Sequence, residues 1–200
     1  MQMQQVAKPA LRARILDHVE SQLLNQGYRG MRVDDLARDV GISKRTLYEQ
    51  FRTKEDMARE ALSRRFERLR ERVDLLVQGS EDEAERLRDI VAEQCRVHDD
   101  TRSTLMQDIE STPALNELLV ASRAHGHGAI ETMLSEGIAR GRFRSELDVR
   151  MARCTLLAAV QGLINSPTCC EGGVDQAIQV TFDVILDGLS ARSAHMSRVG

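Results

Sequence analysis

VDDLARDVGISKRTLYEQFRTK, residues Val33 to Lys54, places two short helical periods on either side of one glycine. Leu36, Ala37 and Val40 fall on a single helical face. Ala37 is small enough for a second helix to cross close by. Gly41 stands where the chain must turn, and a positive φ costs glycine little there. Ile42 follows as an apolar plug. Ser43 has the chemistry of an N-cap, since its hydroxyl can take an orphan backbone N–H. Leu47 and Phe51 then continue the buried face one turn apart, while Lys44, Arg45, Thr46 and Tyr48 point elsewhere. A pair of core helices with a charged outer side would not need small, glycine, cap and apolar positions to agree at once. The spacing predicts a helix-turn-helix, the device that sets its second helix into a DNA major groove.

The run GISKRTLYEQFRTKEDM resembles the signature of the TetR family of transcriptional repressors, and the likeness covers roughly residues 10–60. It implies a three-helix DNA-binding head at 1–54 and a linking fourth helix at about 54–79. The remaining residues, 80–200, would then be the helical ligand-binding and dimerisation body. Within the head, helices are expected from about Ala10 to Gln26, Val33 to Val40 and Lys44 to Phe51. The sequence departs from the pattern at position 32, where a capping threonine is usual and Arg32 stands instead. The second helix should therefore be weakly capped, leaving Arg32 to reach a phosphate.

Elsewhere no stretch alternates at period two for long enough to be a strand, so an all-α chain of about nine helices is expected. The three prolines, Pro9, Pro113 and Pro167, are read as helix boundaries. Thr53 with Asp56, and Ser80 with Glu83, have the spacing of capping boxes and should open the fourth and fifth helices. A short helix at about Ser103–Glu110 should follow, then one from Pro113 to near Arg140 that stops at Gly141. An eighth helix should begin between Ser145 and Asp148 and end near Ser166, and a ninth should span about Val174–Leu189.

The net charge of −3 hides an asymmetry. Residues 1–72 carry 16 Lys and Arg against 11 Asp and Glu, a balance of +5; residues 73–200 carry 12 against 20, a balance of −8. A basic head on an acidic body suits a protein that lays one end on DNA. The opening MQMQQVAKPALRAR has no apolar core of signal-peptide length, and no run is apolar enough to span a membrane. A cytoplasmic location without membrane contact is expected. No nucleophile, base and orienting group converge by spacing, and no phosphate-cradling loop or metal motif appears, so neither an enzyme nor a cofactor is expected.

At the DNA, the first two turns of the recognition helix offer Lys44, Arg45 and Thr46. An arginine can bond two acceptors of one guanine edge, which makes Arg45 the base-reading candidate. Thr46 suits a thymine methyl or a phosphate. The resemblance implies that Tyr48 and Lys54, helped by Ser43, hold the backbone and so set register rather than sequence choice. The resemblance implies a homodimer, whose two heads would meet an inverted repeat. Its expected contact is a four-helix face from Leu156, Val160 and Leu163 of the eighth helix with Ile178, Phe182, Ile185 and Leu189 of the ninth. Ala158, Ala159 and Gly162 would allow close approach.

The resemblance also implies a cavity for a small-molecule inducer, with Val91, Cys95, Met106, Ile109, Met133 and Leu134 as candidate lining. Core packing is the simpler role for each. With no tryptophan, and with Phe143 and Phe182 the only aromatics past the fourth helix, an aliphatic or small polar molecule fits better than a flat cation. His125 and His127 stand two apart and would face different ways on a helix, so no metal site is assigned and Gly126 and Gly128 are read as marking a bend. Cys169-Cys170 is read as a pair of incidental thiols in a loop. The competing reading keeps the same DNA-binding fold without an inducer, acting through protein partners or on nucleoid organisation.

Overall fold

The computed structural model describes residues 3–80, 82–100, 103–165 and 174–189. Among them are nine α-helices and no strand: α1 (Met3–Gly30), α2 (Val33–Val40), α3 (Lys44–Gln50), α4 (Lys54–Val77), α5 (Glu83–Asp100), α6 (Ser103–Ser111), α7 (Pro113–Ala139), α8 (Val149–Asn165) and α9 (Val174–Leu189). The backbone forms two compact units. One joins Met1–Glu71 to Val97–Ala124, and the other joins Arg72–Arg96 to His125–Gly200.

The first unit is built around α1. Its Ile15, Val19 and Leu23 are fully buried in one cluster with Leu36 and Val40 of α2, Leu47 of α3 and Met57 and Leu62 of α4. Each buried aliphatic side chain contributes about 1.5–3 kcal/mol, so the short α2 and α3 are held by this face rather than by their own length. Ion pairs lace α4 to α1 on the outside: Arg64 to Asp17 at 3.2 Å, and Arg65 and Arg68 to Glu20 at 3.3 and 2.6 Å. Arg12 donates to Glu60 and lies 4.1 Å over the Phe51 ring.

Two boundaries differ from expectation. Pro9 does not precede α1 but lies inside it, since the helix extends back to Met3. With no N–H to give, it leaves one turn without its ladder bond. At the other end regular geometry stops at Gly27, where φ is 75° and ψ 173°, and a further turn runs on to Gly30. The fifth helix starts later than its expected cap. Asp82 accepts the Ala84 N–H at 2.8 Å, while Ser80 instead accepts from Asp82 and donates to Glu85.

The second unit has its own core of Leu87, Ile90, Ile130, Phe143, Leu156 and Phe182, all nearly inaccessible. α7 runs continuously through His125-Gly126-His127-Gly128. Gly126 serves close packing there and not an interruption: a Cβ on it would meet the Gln94 side-chain amide of α5 at 2.7 Å. Gly137 likewise makes room for the Phe143 ring, which a Cβ would strike. His125 is paired with Asp74 at 2.9 Å. No described helix is long and apolar enough to cross a membrane.

Candidate nucleic-acid interface

The turn between α2 and α3 follows from its residues. Gly41 adopts φ 76°, ψ 37°, and the N–H groups of Gly41 and Ile42 return to the carbonyls of Arg38 and Ala37 at 3.0 and 2.9 Å. This pair of bonds closes α2 and needs the left-handed residue in the middle. Arg14 adds a third bond from α1, donating to the Val40 carbonyl at 2.9 Å. Ser43, extended at φ −76°, ψ 153°, accepts the Thr46 N–H at 3.1 Å and starts α3. Thr53 opens α4 in the same way, accepting from the Asp56 N–H at 3.0 Å.

Buried Leu47 and Phe51 then force the other side of α3 into solvent. The Arg45 side chain is 90% exposed, with Glu49, one turn on, within reach at 3.2 Å. Tyr48 is 48% exposed, a large surface for an aromatic ring to leave uncovered. Thr46 is half-buried, and its hydroxyl lies 2.9 Å from that of Ser43. Lys44 meets Asp34 of α2 at 2.5 Å, and this hydrogen bond raises the Lys44 pKa, keeping the ammonium charged. Surface pairs of this kind are weak and exchange readily for phosphate.

Lys54 is held differently. Its ammonium lies 4.9 Å over the Tyr28 ring and donates to the Arg29 carbonyl at 3.4 Å. Burial lowers its pKa, and the charge of Asp108 opposes that shift. Arg32 occupies the N-cap of α2 at φ −114°, ψ 125°, with no side-chain capping bond. The departure at position 32 thus has its expected local consequence, with Asp34 and Asp35 in the first turn left to answer the helix dipole. Arg32→Thr is expected to stabilise the protein by about 1 kcal/mol. A higher urea midpoint with an unchanged slope would show it; no increase would mean that those N–H groups are satisfied by another partner.

Sequence reasoning missed Asp34 as the partner of Lys44, because the intervening residues and a turn bring the two together. Glu49 was legible, standing four residues after Arg45 on one helix.

The remaining candidates are placed less simply. Ile109 belongs to the core cluster of the first unit and Met106 packs against it, whereas Val91, Met133 and Leu134 are buried in the second unit. The residues expected to meet a partner chain differ in their exposure within this chain. Leu156, Val160, Phe182 and Leu189 are covered by their own chain, and Ile185 is half-buried. α8 and α9 pack on each other. What remains outside is Met151, Ala158 and Gly162 of α8 with Val180 and Val184 of α9. The side chains of Cys95, Leu163 and Ile178, and the pair Cys169-Cys170, lie outside the described residues.

Two family models match the chain. Residues 15–61 match the bacterial regulatory proteins of the tetR family, and residues 80–165 match a tetracyclin repressor-like C-terminal domain. Solved structures of similar fold include a candidate transcriptional regulator from Saccharomonospora viridis in complex with choline, at 24% identity and a TM-score of 0.79, covering 90% of this chain and 98% of that one. The regulator FadR from Bacillus subtilis in complex with stearoyl-CoA aligns at 17% identity and 0.71, over 88% and 98%. The TetR family regulator PfmR from Thermus thermophilus aligns at 26% identity and 0.68, over 88% and 99%. Among curated proteins, none matches. Helix-turn-helix geometry, nine described helices and matches to both family models agree, and the chain belongs to the TetR family of bacterial transcriptional regulators.

Proposed function

We propose that this protein represses transcription by binding an inverted-repeat operator as a homodimer and is released by a small-molecule inducer. One observation supports the DNA reading above the others. The first two turns of α3 project Lys44, Arg45 and Tyr48 into solvent, with Thr46 partly open beside them, from a helix whose opposite side is anchored by Leu47. On this reading Arg45 reads a base edge, Lys44 and Thr46 flank it, and Ser43, Tyr48, Lys54 and Arg32 meet phosphate. Residues 1–54 form the DNA-binding part, α4 the linker, and 80–200 the ligand-binding and dimerisation part.

For the dimer, the outward apolar side chains of α8 and α9 supply the contact. Val180 and Val184 stand one turn apart, and the exposed Ala158 and Gly162 let helices approach closely. For the inducer, the solved relatives hold choline in one case and stearoyl-CoA in another. Phe143 and Phe182 are fully used in packing, which leaves the second unit no aromatic cage for a quaternary ammonium and favours an aliphatic ligand near Val91, Met133 and Leu134. The ligand must prefer the DNA-free conformation, and that preference bounds the effect it can have.

Selection of random duplex DNA tests the reading. The wild-type protein is expected to enrich an inverted repeat. Arg45→Ala is expected to relax one base position per half-site by about 1–3 kcal/mol of discrimination while leaving the others unchanged. Failure to enrich any sequence, at low salt as well as high, would overturn it.

A further inference from the structure

A carboxylate far from the helix-turn-helix in sequence organises its phosphate-facing corner. Asp108, on α6, is only 4% exposed. Its Oδ2 accepts the backbone N–H of Arg29 at 2.9 Å, and its Oδ1 meets Arg29 Nε at 3.2 Å. Arg29 also donates through Nη2 to Ser111 Oγ at 3.1 Å, and Ser111 donates back to the Asp108 carbonyl at 3.1 Å, closing a ring of bonds. This ring sits on the break in α1. Gly27 adopts φ 75°, ψ 173°, a conformation open in practice to glycine alone, and the Arg29 N–H just after it is taken by Asp108. A Cβ at Gly27 would lie 2.7 Å from Asp108 Oδ2, so the carboxylate is seated directly against the broken turn.

The consequence reaches the DNA-facing side. The carbonyl of the same Arg29 receives Lys54 Nζ at 3.4 Å, and the preceding Tyr28 supplies the ring over which that ammonium sits. Arg32, at the N-cap of α2, follows three positions later with no capping bond of its own. Besides Lys54, α6 holds this corner, through one part-buried, charge-assisted hydrogen bond.

We propose that Asp108 is a positioning residue for DNA binding: by latching the Arg29 amide it holds the Gly27–Arg32 corner so that Lys54 and Arg32 face the phosphate backbone. The proposal rests on the DNA-binding reading above. Because these are backbone contacts, loss of the latch should weaken binding to every sequence and leave sequence choice intact.

The test uses the full-length protein and the duplex enriched by wild type, with an unrelated duplex as control. Affinity is read by fluorescence anisotropy well below the melting temperature, and the Arg29 amide is followed by hydrogen exchange. Asp108→Ala is expected to lose about tenfold in affinity for both duplexes, to expose the Arg29 amide, and to select the same sequence as wild type. Asp108→Asn keeps an acceptor for the amide but not the ion pair, and should lose only about threefold. It decides the matter alone if the alanine variant does not fold. A lowered melting temperature with wild-type affinity in the folded variants would mean a purely structural role and overturn the proposal, as would a loss confined to one duplex. Wild type that binds neither duplex overturns the DNA reading itself; wild type that binds while both variants match it overturns only the role of Asp108.

Discussion

Arg86→Ala is expected to destabilise the protein by about 3–5 kcal/mol, the range for removing one partner from a buried charge network. Arg86 is 8% exposed and holds together three helix ends of the second unit. It donates to the Val77 carbonyl at the end of α4 at 2.7 Å, to Glu83 at the start of α5 at 3.5 Å, and to Glu136 near the end of α7 at 3.1 Å. Glu83 is itself 5% exposed and also receives Arg140. Without Arg86 the Val77 carbonyl loses its donor and the buried Glu83 is left with Arg140 alone, and the cost is the desolvation those groups no longer recover. Urea denaturation followed by circular dichroism would measure it. Arg142→Ala provides the control, since its 3.5 Å pair with Asp82 is half-exposed on both sides and should contribute under about 1 kcal/mol. A similar small loss for Arg86→Ala would show that water replaces the network.

Val184→Glu is expected to give a folded monomer whose affinity for an inverted-repeat operator is at least about a hundredfold lower. Val184 is 68% exposed on α9, so a carboxylate there costs the isolated subunit little. In a symmetric contact each copy brings the same residue, and two carboxylates would be buried near each other against apolar neighbours. Losing the dimer separates two heads that otherwise bind as one. That linkage alone is worth about 10²–10⁴ in affinity. Phe182 would make a poor test: it is fully buried within the subunit, and a charge there would unfold the chain whether or not it dimerises. Light scattering with a mobility shift on the same samples decides the question. A dimer that survives the Val184→Glu substitution would exclude this face.

The helix-turn-helix was legible because its determinants are local. Gly41 closes α2, Ser43 opens α3, Thr53 opens α4, and each acts on backbone groups only a few residues away. Helix periods were legible for the same reason, and the described limits lie close to those read from caps and prolines, with Pro9 and Ser80 as the exceptions and Pro167 outside the described residues. At Pro9 a single lost bond was overridden by continued helix on both sides, and in place of Ser80 the cap is Asp82, which accepts the Ala84 N–H.

Residue type and spacing, by themselves, determined the all-α class, the position of α3 and the weak cap at Arg32, because backbone hydrogen bonding and helical periodicity operate over a few residues. Tertiary structure alone decided which apolar side chains of α8 and α9 turn inward, since an amphipathic helix states that it has a buried face but not which neighbour covers it. It alone brought Asp34 to Lys44 and Asp108 to Arg29, because ion pairs between separate helices leave no periodic trace in the chain. The same packing sets Gly126 against Gln94 and Gly137 against Phe143, where the space a missing Cβ leaves is filled by a residue that only the folded chain brings near.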